Sequence, residues 1–282
     1  MMKIVVDSGC DMPLSVALQN DIKAAPLTLQ LGDDIYIDDD SLDVNAYIEA
    51  MEDYPGTPKT SAPSPQEFLE RFSGDNVFVV TLSSKLSGTY NSAMLAKDIY
   101  MEEIGNRFVH VFDSLSASVA QYMIVEKILE LGKSFEGASP EKIVEGVNEY
   151  IKNLNTYFVI ERFDNLAKTG RVKPWIAKIA STLSVKAICK ASEGEIAIED
   201  KARGWNKAIP KLADLVCAGD NFENRILAIS HVKALEKARK LKEEVQRRVN
   251  FKDIVILECA GLTSTYASRG ALILSWSGSG KP

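Results

Sequence analysis

The chain has 282 residues, 46% hydrophobic and 26% charged, with a net charge of −6. That length buries a sizeable core and predicts two domains, 1–154 and 155–282, while the acidic balance offers no general attraction for nucleic acid or an anionic membrane. No apolar run approaches the roughly 20 residues of a membrane span; four cysteines without paired spacing and two histidines argue against a disulfide framework or a metal cluster.

Residues 3–6 read as a first strand, entered directly, so no signal peptide is expected and the expected compartment is the cytoplasm. Asp7 to Pro13 reads as a turn, with Asp11 capping a helix that starts near Pro13. An aspartate after a first strand invites a phosphatase reading, but that pattern sets its second acid two residues on. Gly9 stands there, so turn and cap is the expectation for both acids. Residues 26–31 and 34–37 predict a hairpin about Gly32-Asp33. Asp38-Asp39-Asp40 lacks the alternating ligands and glycine of a calcium loop and reads as a solvated acidic turn. A helix over 42–51 leads to Thr60-Ser61-Ala62-Pro63-Ser64-Pro65, a hydroxyl-rich turn stiffened by proline, and to a helix over 66–72.

Val77-Phe78-Val79-Val80 has the pattern of a fully buried strand. Behind it come Thr81 to Tyr90, TLSSKLSGTY, and a helix over 91–101. In a parallel α/β sheet ligands bind beyond the carboxyl ends of strands, and helix starts favour anions. Ser83, Ser84, Ser87 and Thr89 offer hydroxyl donors, and Gly88 permits close approach. Taken alone, the loop suits either an anion site or a serine-rich cap. A strand over 108–112 ends in Asp113-Ser114-Leu115-Ser116. Amphipathic helices follow over 118–131 and 140–154. Alternating strands and helices predict an α/β unit with a mostly parallel sheet.

The pattern changes after Thr156. A strand over 157–160 precedes Asn165 to Trp175, NLAKTGRVKPW. Strands over 185–190 and 195–198 flank Ser192-Glu193-Gly194 as a hairpin. Then come a helix over 207–217, a strand over 225–231, a charged helix over 234–249 with a solvated face, and a strand over 254–259. Gly261 to Leu272 reads as a polar turn before a closing strand. Gly278 to Lys281 reads as a frayed tail rather than a phosphate loop. This half is expected to be α+β, with a ligand held between and within the two domains.

Three motifs stand in order: Asp7-Ser8-Gly9-Cys10-Asp11-Met12-Pro13, Thr60 to Pro65, and Leu86-Ser87-Gly88-Thr89-Tyr90-Asn91-Ser92-Ala93. Together they resemble the DegV family of bacterial fatty-acid-binding proteins, which includes acyl-carrier subunits of fatty acid kinases. The last motif is the most specific, and downstream matches extend the resemblance over nearly the whole chain. The resemblance implies a carboxylate site built from Thr60, Ser61, Ser87, Gly88 and Thr89, with Ser114 in a second Asp-Ser segment near the ligand head. Asn165 to Trp175 resembles the family's Leu-x-x-Gly-Gly-Arg segment, with Thr169 at a glycine position. Arg171 is the matching arginine, expected near a carboxylate. Near the end, beside Thr265, Tyr266 stands where the family has histidine, and Ser268-Arg269-Gly270 replaces Gly-Pro-Gly. A phenol still donates a hydrogen bond but does not titrate near neutral pH. Arg269 either adds positive charge nearby or caps the turn.

The resemblance therefore implies a long-chain fatty acid as ligand, its tail in an apolar tunnel lined by the second domain, and no cofactor or metal. A separate fatty acid kinase catalytic subunit is the implied partner, since the chain has no Walker loop or kinase signature. Nucleic acid and stable membrane insertion are not expected. A hydrolase or phosphotransferase using Ser87 or Asp7 is one alternative, weakened by the missing G-x-S-x-G elbow. A lipid-sensing regulatory protein is another, which the sequence does not separate from a carrier.

Overall fold

The structure, a computed structural model, describes residues 2–105, 107–134, 139–180 and 185–278. In chain order the first half forms β1 (Met2–Asp7), α1 (Leu14–Gln19), β2 (Lys23–Ala25), β3 (Thr28–Leu31), β4 (Asp34–Ile37), α2 (Val44–Asp53), β5 (Lys59–Ser61), α3 (Pro65–Leu69), β6 (Asn76–Thr81), α4 (Thr89–Ile104), β7 (Phe108–Asp113), α5 (Val119–Ser134) and α6 (Pro140–Lys152). Four of these strands make a wholly parallel sheet, ordered β2-β1-β6-β7. Val77 to Val80 are fully buried, as a strand covered on both faces requires. Alternation divides the work: Val5, Val77, Val79, Val109 and Val111 pack with Phe68, Ala93 and Ala96 of α3 and α4. Ile4, Val6, Phe78, Val80 and Phe112 face the other way, against α5.

β4, β3 and β5 form a small antiparallel sheet. The β3–β4 hairpin turns at Gly32 (φ +63°), as expected. Thr60 and Ser61 belong to β5, not to a free turn; Leu29 pairs with Thr60. The expected cap at Asp11 is absent. α1 follows Pro13 with no side-chain cap, and the buried Asp11 carboxylate instead accepts from Ala260 N (2.7 Å) and Ser118 Oγ (2.5 Å). Asp38 is not a solvated acid either: it is 3% exposed and serves another helix, described below.

The second half adds β8 (Leu154–Val159), α7 (Asp164–Lys168), α8 (Pro174–Ala180), β9 (Val185–Ser192), β10 (Glu195–Arg203), α9 (Trp205–Val216), β11 (Ile226–His231), α10 (Leu235–Gln246), β12 (Asp253–Glu258), α11 (Gly261–Ala267) and β13 (Leu272–Ser277). Their six strands order as β10-β9-β8-β13-β11-β12, with β11–β12 the parallel pair. Leu227, Ile229, Leu272, Leu274 and Trp276 pack with α9 and α10. Ala228 and Ile273, one residue out of phase, face α5. α5 thus lies between two sheets. Its residues from Val119 to Val125 are buried, so the expected amphipathic helix is covered nearly all round at its start. Gly261 to Ala267 is a helix where a turn was expected. Of the glycine-rich tail, residues 279–281 lie outside the described residues.

Candidate functional site

A partly open cavity, about 890 Å³ of empty space counting the solvent at its mouth, lies between the six-stranded sheet and the loops behind β1, β6 and β7, with Thr60 of the small sheet and the turn before α5 on its wall. Its walls are mostly apolar: Leu27, Leu82 and Leu86 come from the first half, and Phe158, Ile160, Leu166, Ile196 and Ile273 from the second. β8 supplies alternate residues, Thr156 and Phe158, as strand pleating dictates, and Ile160 just past its end continues the line. The tip of the β9–β10 hairpin closes one side, where Ser83 Oγ donates to Gly194 O (2.8 Å).

One group of polar side chains gathers on this wall. Thr60 Oγ1 and Tyr266 OH share a hydrogen bond of 2.8 Å. The Arg171 guanidinium lies 4.9 Å from the Tyr266 ring centroid, and its Nε donates to Leu86 O (2.9 Å). Ser87 lines the cavity next in sequence, its hydroxyl bonded to Thr89 Oγ1 (2.8 Å). Thr60, Ser87, Arg171 and Tyr266, far apart in sequence, therefore share one surface. Two neutral hydroxyls, a phenol and a guanidinium form a donor set suited to a carboxylate.

The other expected residues stand back from it. Ser61, one residue out of phase with Thr60, is exposed on the opposite face of β5. Thr89 is buried in the first turn of α4 beneath Ser87. Gly88 precedes that helix with open space where a side chain would project, so the fold itself does not require glycine there. Ser114 is buried and bonds the backbone of Ser116 in a local turn. Thr265 is buried on α11, held by Tyr47 OH (2.7 Å) and Gly261 O (2.8 Å). Arg269 adds no charge to the cavity; it makes an exposed bidentate pair with Glu52, at 2.9–3.1 Å.

Three buried aspartates fix the frame around these groups. Asp38 accepts from Gly261 N (2.9 Å) and Leu262 N (3.0 Å), the first N–H groups of α11, and so positions Tyr266. Asp7 accepts from Gly9 N (2.9 Å), Leu82 N (2.7 Å) and Gln121 Nε2 (3.1 Å), fixing the loop that follows β6. Asp11 ties Ala260 to Ser118. Burial pushes Asp7 up to about 7 and Asp11 and Asp38 up to about 6. The sequence offered a signal for two of these roles, since Asp7 and Asp38 stand at the ends of strands. Partners of the three aspartates lie up to 249 residues away, which no local pattern displays. Among the described residues, no three His, Cys, Asp or Glu side chains converge as metal ligands.

Comparison with known proteins bears on the family and the fold. The family model described as "Uncharacterised protein, DegV family" matches residues 1–278. A DegV domain-containing protein of Streptococcus pneumoniae is 35% identical over 280 residues, 97% of this chain and 98% of the relative. A DegV-family crystal structure from Ruminococcus gnavus, refined with vaccenic acid, superposes with a TM-score of 0.91 at 35% identity, over 97% of this chain and 98% of that one. The fatty acid kinase (Fak) B3 protein of Streptococcus pneumoniae, loaded with linoleic acid, gives 0.89 at 34% identity, over 98% and 99%.

Proposed function

The chain belongs to the DegV family, and from that premise we propose that it binds a long-chain fatty acid and presents it to a separate fatty acid kinase subunit. The single observation that carries the reading is the cavity, apolar along most of its wall and closed on one side by Thr60, Ser87, Arg171 and Tyr266. Each methylene buried there contributes about 0.8 kcal/mol, so the acyl chain dominates affinity while the polar group sets direction. In this reading the division at 154/155 separates two sheets that share one ligand. Thr60 and Ser87 come from residues 1–154, and Arg171, Tyr266 and much of the acyl-facing wall come from residues 155–282.

A carrier is favoured over an enzyme by where the candidate nucleophiles point. Ser87 shares its hydrogen bond with Thr89, and the Asp7 oxygens are occupied by Gly9, Leu82 and Gln121. Neither is presented to a substrate with a base beside it. Native mass spectrometry of protein purified from cells tests the reading directly, with a co-purified fatty acid as the expected result. Thr60→Val, Ser87→Ala and Tyr266→Phe should each weaken the acid by about 1.5–3 kcal/mol, the cost of removing one partner of a charged hydrogen bond. The methyl ester should bind less well than the acid. Wild-type retention in all three variants would place the carboxylate elsewhere.

A further inference from the structure

We propose that the cavity wall carries an acceptor for a hydroxyl on the acyl chain, so that the ligands of this protein include hydroxylated long-chain fatty acids. This rests on the fatty-acid reading and adds a second point of recognition to it. Ser116, in the turn before α5, and Thr156, on β8, both line the cavity. Thr156 pairs in register with Ser275 of β13. The three hydroxyls form a chain whose direction is fixed. Ser116 Oγ donates to Thr156 Oγ1 (3.0 Å), and Ser275 Oγ donates to Asn155 O (2.8 Å). The 3.1 Å bond between Thr156 and Ser275 therefore uses the Thr156 proton.

Every proton in this chain thus runs from the cavity into the protein. Ser118 and Thr263, the other hydroxyls on this part of the wall, give theirs to Asp11. What remains toward the ligand is acceptor capacity, since a hydroxyl has two lone pairs beside its one proton, and Ser116 Oγ, at the head of the chain, is the member that donates without accepting from either of the other two. Polarisation along the chain makes that oxygen a better acceptor than an isolated hydroxyl. An acyl hydroxyl brings a donor that fits it. An acyl ketone brings a second acceptor to this part of the wall, where the hydroxyl protons are already given inward, leaving a buried polar group unpaired.

The test uses the full chain stripped of lipid, titrated with octadecanoic acid, a positional series of its monohydroxy derivatives and the matching ketones. At one position the hydroxy acid should bind roughly tenfold or more tightly than the ketone. Ser116→Ala should collapse that ratio; it strands no donor, because the Thr156 proton still reaches Ser275. Thr156→Val should also abolish the preference, by a different route. It frees the Ser116 proton to face the cavity, where it can bond a ketone. Equal binding of hydroxy and keto acids at every position, or a preference untouched by Ser116→Ala, overturns the proposal while the fatty-acid reading stands. Failure to bind octadecanoic acid at all overturns both.

Discussion

Asp11 is a carboxylate held where water does not reach, and burial raises its pKa from the usual 3.8 to about 6. The sign of its effect on stability follows. In the fold it keeps its proton to higher pH than in the unfolded chain, so stability falls as pH rises from about 4 through 6. The shift corresponds to on the order of 3 kcal/mol at neutral pH. Asp11→Asn should remove that slope. The amide keeps an oxygen for Ala260 N and offers its NH₂ to Ser118 Oγ, whose own proton turns to Ser230, 2.8 Å away. Relative to wild type, the variant should gain on the order of 3 kcal/mol between pH 4 and pH 7 in denaturant titrations. Parallel pH curves for the two proteins would show that Asp11 ionises as it does in water. Asp7 and Asp38 act in the same direction, while the exposed Asp21, drawn down to about 2 by Lys3 and Lys23, acts in the opposite one at lower pH.

α11 shows how an element can exist against its own sequence. GLTSTYA holds a glycine and three hydroxyl residues, a poor helix former in isolation. The Asp38 carboxylate takes its first two N–H groups, and Asn165 Nδ2 donates to the Thr265 carbonyl near its far end (2.8 Å). Asp38→Ala should therefore cost on the order of 2 kcal/mol and loosen fatty acid retention, although Asp38 itself does not line the cavity. Asp40→Ala, exposed two residues away, should stay within about 0.5 kcal/mol of wild type. If thermal melts and retention are unchanged in Asp38→Ala, α11 is held by packing alone. β5 is a milder case. Its three residues form a strand because β3 is there to pair with, and only that pairing settles that Thr60, not Ser61, meets Tyr266.

At the scale of the whole molecule, α5 joins the two sheets. Ile124, Val125 and Ile128 share one apolar core with Phe78 and Val80 of β6 and with Ala228 and Ile273 of the second sheet. A core continuous across residue 154 couples the halves, and the chain should unfold in one step. Amide exchange measured on β6 and on β13 should report the same opening free energy, and bound fatty acid should raise both together. Two distinct values would mean that residues 1–154 and 155–282 open independently.

The sequence by itself determined most strands and helices and the two kinds of sheet, because apolar runs and turn residues act over a few positions; the three-residue β2 and β5 escaped it. Val77 to Val80 and Gly32 needed nothing distant to be read. It also carried the family, through LSGTYNSA, and with it the residues Thr60, Ser87, Arg171 and Tyr266. The tertiary structure decided which hydroxyls share a surface, since facing depends on register and a shift of one residue sends Ser61 outward. It alone decided that Asp11 and Asp38 are buried anchors. A carboxylate in a turn has the same local pattern whether water or a distant N–H completes its hydrogen bonds, and only the folded chain supplies the second.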